Sequence, residues 1–91
     1  MSEQPLKQDD ELSFSQFLED VNVEWHNASL EQKEYQIHEY LNIECGAGVF
    51  TDQVGTSHIK VHYDDTHELL IHTADDLSSI DAQLDQFLSS L

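Results

Sequence analysis

Six histidines, 19 Asp and Glu and a single cysteine are the side chains through which this 91-residue chain could do chemistry. His58, Lys60, His62 and His72 fall in segments where polar and apolar residues alternate, so strand geometry would set all four on one sheet face. Imidazoles on neighbouring strands could meet a transition metal there, with Glu68 or Asp64 as an oxygen ligand. Against that, Lys60 would sit among them and repel a cation, and the spacing matches no recognised ligand pattern. A milder consequence is pH sensitivity: protonating all six histidines would carry the formal charge from −16 towards −10 near pH 6.

The remaining chemistry thins out quickly. Cys45 is the only cysteine, and a lone cysteine is usually a small core residue rather than a nucleophile. Gly46-Ala47-Gly48 lacks the third glycine of a dinucleotide loop, because position 51 is Thr. Asp64-Asp65-Thr66-His67-Glu68 lacks the alternating ligands and central glycine of a calcium loop. No serine stands in a nucleophile elbow. The expectation is a non-enzymatic protein without a cofactor or a resident metal.

What is left is charge. Nineteen acids oppose three lysines (Lys7, Lys33, Lys60) and no arginine, for a formal charge of −16. Such a surface repels nucleic acid and anionic lipid and attracts basic protein surfaces. Asp20 and Glu24 lie four apart on one helical face, where like charges cost a few tenths of a kcal/mol. Tolerating that repulsion at several places suggests that the field has a use. A solvated, solubilising face is the plain alternative, and adaptation to a salt-rich cytoplasm is another. The lone cysteine, the absence of a signal-like start and the lack of a long apolar run fit a cytoplasmic protein.

Leu, Ile, Val and Phe make up about 27% of the chain, enough for a fold despite the charge. Residues 1–11 are expected to form a flexible acidic tail, and residues 12–91 one small domain. Ser13 with Gln16 matches a capping box ahead of Phe14, Phe17, Leu18, Val21 and Trp25, which predicts a helix over roughly 14–27. Ser29 with Gln32 repeats the signature, yet Tyr35, Ile37, Leu41, Ile43 and Cys45 also alternate. A helical turn near 30–34 and then a strand over about 36–45 is the reading taken. Val49-Phe50-Thr51, residues 57–63 and Glu68–Thr73 read as further strands. Pairing Tyr63 with Leu69 and Val61 with Ile71 would bury one face and set His72 opposite Lys60.

The last element is an amphipathic helix through Leu77, Ile80, Leu84, Phe87, Leu88 and Leu91, capped by Thr73 or Asp75. The fold class is therefore α+β: an N-terminal helix, an antiparallel meander of three to four strands, and a C-terminal helix, both helices on one sheet face. The function expected of it is an acidic module that binds a basic or nucleic-acid-binding protein. It would act as inhibitor, nucleic-acid mimic or chaperone, without touching nucleic acid or membrane itself. Metal binding by the sheet histidines is the alternative, and a homodimer is left open. The candidate partner-binding residues are Glu19, Asp20, Glu24, Asp64, Asp65, Glu68, Asp75 and Asp76. Tyr40, with Leu70 on the histidine face, would be an apolar anchor inside the acidic rim.

Overall fold

The structure, a computed structural model, describes residues 13–46 and 48–91. The tail expected at residues 1–11 lies outside the described residues. Helix α1 spans Phe14–Asp20, helix α2 Leu30–Cys45 and helix α3 Leu77–Ser89. Strands β1 (Phe50–Val54), β2 (His58–Asp64) and β3 (His67–His72) lie between α2 and α3. They form an antiparallel sheet in the order β1-β2-β3. None of the helices among the described residues is long and apolar enough to cross a membrane.

Helix α1 begins as its sequence predicts and stops seven residues early. The Ser13 hydroxyl accepts from the Gln16 amide at 3.2 Å, and Asp81 of α3 accepts from the Phe14 amide at 3.1 Å. Gln16 does not reach back as a capping box would; its side chain donates to Asp20. The stop is set by Asn22, whose φ of 64° is left-handed. Val23 N–H then donates to Leu18 O and Asn22 N–H to Glu19 O, the paired bonds of a Schellman termination. Trp25 consequently sits in a separate turn of 3-10 helix, Trp25–Asn27. It still reaches the core, edge-on to Phe14 at 5.5 Å, with its indole N–H donating to Thr73 O.

The region 30–45 is one continuous helix, which corrects the strand expected over 36–45. Ser29 caps it through the Gln32 amide, and Gly46, at φ 77°, ends it. Helical spacing buries Gln36, Ile37, Tyr40 and Leu41 together and turns Tyr35 and Ile43 outward. The alternation of Tyr35, Ile37, Leu41 and Ile43 was thus a coincidence of residue types. Three strands remain among the described residues, within the three to four expected.

In the sheet, the β2–β3 pairing is displaced by two residues from the expected register. Val61 pairs with Leu69, Ile59 with Ile71 and His58 with His72, so His72 faces His58 rather than Lys60. The Asp64 carboxylate accounts for the shift: it accepts from the Thr66 amide, the Thr66 hydroxyl and the His67 amide, folding a tight turn at Asp65-Thr66. A bulge between His62 and Asp64 absorbs Tyr63, which is left largely exposed. A two-residue displacement preserves parity, so Ile59, Val61 and Ile71 stay on the buried face, and the bulge removes only Tyr63 from it.

Helix α2 lies against β1 and α3 against β3, on the face that carries those three residues. Helix α1 packs on α2 and α3. The rings of Phe14, Phe17 and Tyr40 lie within 6.4 Å of one another at their junction. In α3, Ile80, Leu84 and Phe87 are buried as the periodicity requires, while Leu91 is exposed. Its N-cap position is Asp76, which makes no side-chain cap bond, and Thr73 donates instead to Ser57 O across the sheet end. Neither Thr73 nor Asp75 caps the helix, because both are engaged elsewhere: Asp75 faces His72 at 3.6 Å.

Candidate protein-binding surface

The acids singled out from the sequence divide between the two ends of the fold. Glu19 and Asp20 are exposed at the end of α1, and Glu24 is exposed beside Trp25, where it accepts from Asn27 at 2.6 Å. The Trp25–Thr73 bond draws the loop that carries Glu24 towards the segment of Asp75 and Asp76. Asp64, Asp65 and Glu68 belong to the other end, where the hairpin tip meets the last residues of the chain.

Tyr40 is not a surface anchor. It is fully buried and packs edge-on against Phe14 at 5.2 Å, because helix α2 puts it on the same side as Ile37 and Leu41. Leu70 does stand exposed on the histidine face, opposite Lys60. Several acids also have structural partners. Asp81 accepts from the Phe14 amide and the Ser15 hydroxyl and so ties α3 to the start of α1. Glu34 accepts from Thr51 at 2.9 Å and Gln53 at 3.0 Å and fastens α2 to β1.

The hairpin tip holds an ion pair that the sequence did not disclose. His67 Nδ1 lies 2.8 Å from Asp64 Oδ1 and Nε2 lies 3.0 Å from Ser90 O. Both partners are acceptors, so the imidazolium, with a donor on each ring nitrogen, is the form that satisfies the two together. The bond to Asp64 raises the His67 pKa, with the carboxylate charge and the Ser90 carbonyl adding to it. Reciprocally, the bond from His67 and the Thr66 amide bring Asp64 down to about 2. Among the described residues the cations are otherwise occupied as well. Lys33 sits over the Trp25 ring at 5.3 Å, and Lys60 lies 3.7 Å from Glu68.

The open sheet face carries His58, Lys60, His62 and His72, as their parity implied. His58 and His72 approach with ring centroids 4.6 Å apart, and His62 stacks on Phe50 at 5.6 Å. No three His, Cys, Asp or Glu side chains converge on a metal-sized site among the described residues. The histidine pair would offer a zinc ion two ligands where a structural site uses four. Cys45 bonds to Leu41 O, and burial, with Glu44 beside it, pushes its thiol pKa up, away from the reactive thiolate.

Sequence reasoning missed the groove between α2 and β1. Glu31, Tyr35 and His38 recur at helical spacing along α2 and line one side of it, and Phe50, Thr51 and Gln53 of β1 line the other. Tyr35 is 58% exposed and Phe50 61%, the most open aromatic side chains described. Reading 36–45 as a strand hid this groove. As a helix, the same residues project Tyr35 beside Glu31. Comparison of the chain with protein-family models, curated proteins and solved structures finds no match, so function here rests on the surface itself.

Proposed function

We propose that this is a non-catalytic, cytoplasmic acidic module that docks on a basic protein surface and blocks it, as an inhibitor or nucleic-acid mimic does. One observation carries the reading. All but four of the 19 acids fall among the described residues, facing two lysines that are both already engaged within the fold. The outward field is therefore close to uncompensated, and it would steer a basic partner while repelling nucleic acid. A partner that ordinarily binds phosphates would accept carboxylates in their place.

The test is capture by the immobilised full chain from a source lysate at low salt, with release by rising salt. The reading expects one basic or nucleic-acid-binding protein at stoichiometric level, released between roughly 0.2 and 0.5 M salt. Release of many abundant basic proteins together at low salt would show that the charge serves solubility alone.

A further inference from the structure

Strand β1 is an edge of the sheet, hydrogen-bonded to β2 on one side over five consecutive residue pairs. Among the described residues, no backbone hydrogen bond from outside the sheet reaches residues 50–54. Natural proteins guard such edges with lysine, proline, a bulge or a covering element. Strand β1, Phe-Thr-Asp-Gln-Val, has no lysine, proline or bulge, and its one guarding charge is Asp52. On the helix side its Thr51 and Gln53 donate to Glu34 of α2. Phe50 and Val54, both exposed, flank it on the open sheet face, and Tyr35 stands across the groove on α2.

Acids predominate around this edge, with Lys60 opposite Asp52 on β2. Glu31 and Glu34 line the groove and Asp52 lies mid-strand, with His38 the titratable base beside them. Lys33 is drawn to Trp25 and Lys60 to Glu68. Resting on the reading of the domain as a binder of basic proteins, we propose that the β1 edge and the adjoining groove receive an extended basic segment of the partner as a fourth strand. Main-chain bonds to β1 would supply the registration. Alternate side chains would then fall on opposite sides, half towards Phe50, Asp52 and Val54 and half towards Tyr35 and Glu31. A second copy of this chain fits poorly. Antiparallel pairing centred on β1 would oppose Asp52 to Asp52 and bring together two chains of −16.

The probe is an acetylated, amidated (Lys-Val)4 peptide, titrated into the isotopically labelled full chain at low salt and followed by amide resonances. Two companion peptides carry the same side chains, with N-methyl groups on every second residue in one phase or the other. The expected result is shifts concentrated at residues 31–38 and 50–54, with at least tenfold weaker binding for one or both methylated peptides. Tyr35→Ser with Phe50→Ser, which removes no core residue and no charge, should weaken the parent peptide by a similar factor. Equal binding of all three peptides would overturn the strand inference and leave the acidic-module reading intact. So would shifts centred on residues 19–24 and 75–76. Failure of the peptide to bind, while the lysate partner is still captured, overturns the inference alone. Failure of both removes the reading beneath it.

Discussion

Asp81 is an acid that this overcharged protein should be unable to lose, and the structure gives the size of the effect. Its two oxygens accept from the Phe14 amide at 3.1 Å and the Ser15 hydroxyl at 2.9 Å, at the first turn of α1. Bonds to an ionised acceptor contribute about 1.5–3 kcal/mol each, and a negative charge at a helix N-terminus adds a few tenths. Three effects reduce the sum. Ser13 already caps the Gln16 amide, and Asp81 is only partly buried, so water can replace some of what is lost. Relief of repulsion in a chain of −16 returns a few tenths more. The net expectation for Asp81→Ala is destabilisation by about 2 kcal/mol. In a domain of this size, that lowers Tm by about 8–16 °C.

Differential scanning fluorimetry and urea unfolding would measure it, with Glu19→Gln and Asp65→Asn as exposed controls. Those controls should stay within about 0.5 kcal/mol of the parent, on the stabilised side. Because the Asp81 bonds are short and local, the loss should persist in 1 M salt, where the Debye length is about 3 Å. An Asp81→Ala melt that matches or exceeds the controls would refute the assignment of Asp81 as the clasp between α1 and α3.

Three further outcomes follow from named contacts. The raised His67 pKa makes its contribution to stability complete below its ordinary value of 6.5 and lost as pH rises through the higher folded value. Asp64 acts in the opposite sense, contributing above 3.8 and losing that contribution as pH falls towards about 2. The difference in Tm between the parent and His67→Gln should therefore shrink from pH 6 to pH 9, and a constant difference would contradict the ion pair. Tyr40→Ala should cost about 3–5 kcal/mol, as loss of a buried ring does, and leave the chain largely unfolded by circular dichroism. A folded variant with reduced partner binding would return Tyr40 to the surface. Asn22→Gly should be neutral or slightly stabilising, whereas Asn22→Val should cost about 1–2 kcal/mol in urea unfolding, because the left-handed position resists a β-branched side chain.

Much of the fold was legible in residue types. Ser13 and Ser29 announced the starts of α1 and α2 because a hydroxyl followed three residues later by Gln is a local signal that needs no tertiary information. The face of the sheet was legible for a different reason. Ile59, Val61 and Ile71 stay inward under any register shift of two, so the Asp64 turn could move the pairing without moving the core. What failed depended on competition between local signals. Asn22 ended α1 although apolar spacing continued to Trp25, since the spacing cannot show that one residue will take a positive φ. In α2, apolar residues at odd positions satisfied a strand and a helix equally, and only packing on Phe14 and Phe17 decides for the helix.

The site was less legible than the fold because most of its candidates were chosen by charge. Charge says nothing of which carboxylates gather, and the chosen ones divide between two ends. Asp81 and Glu34 are bound up in structural bonds that no spacing reveals. The groove joins Tyr35 and Phe50, 15 positions apart in the chain, and it exists only once 30–45 is a helix laid against β1.

The most direct test of an electrostatic docking module is the salt dependence of its affinity for the captured partner, measured by isothermal titration from 0.05 to 0.5 M salt. The account predicts a one-to-one complex whose Kd rises by at least tenfold over that range, with the loss mainly in the association rate. An affinity that does not change with salt would contradict it, since the unopposed carboxylates would then contribute nothing to binding.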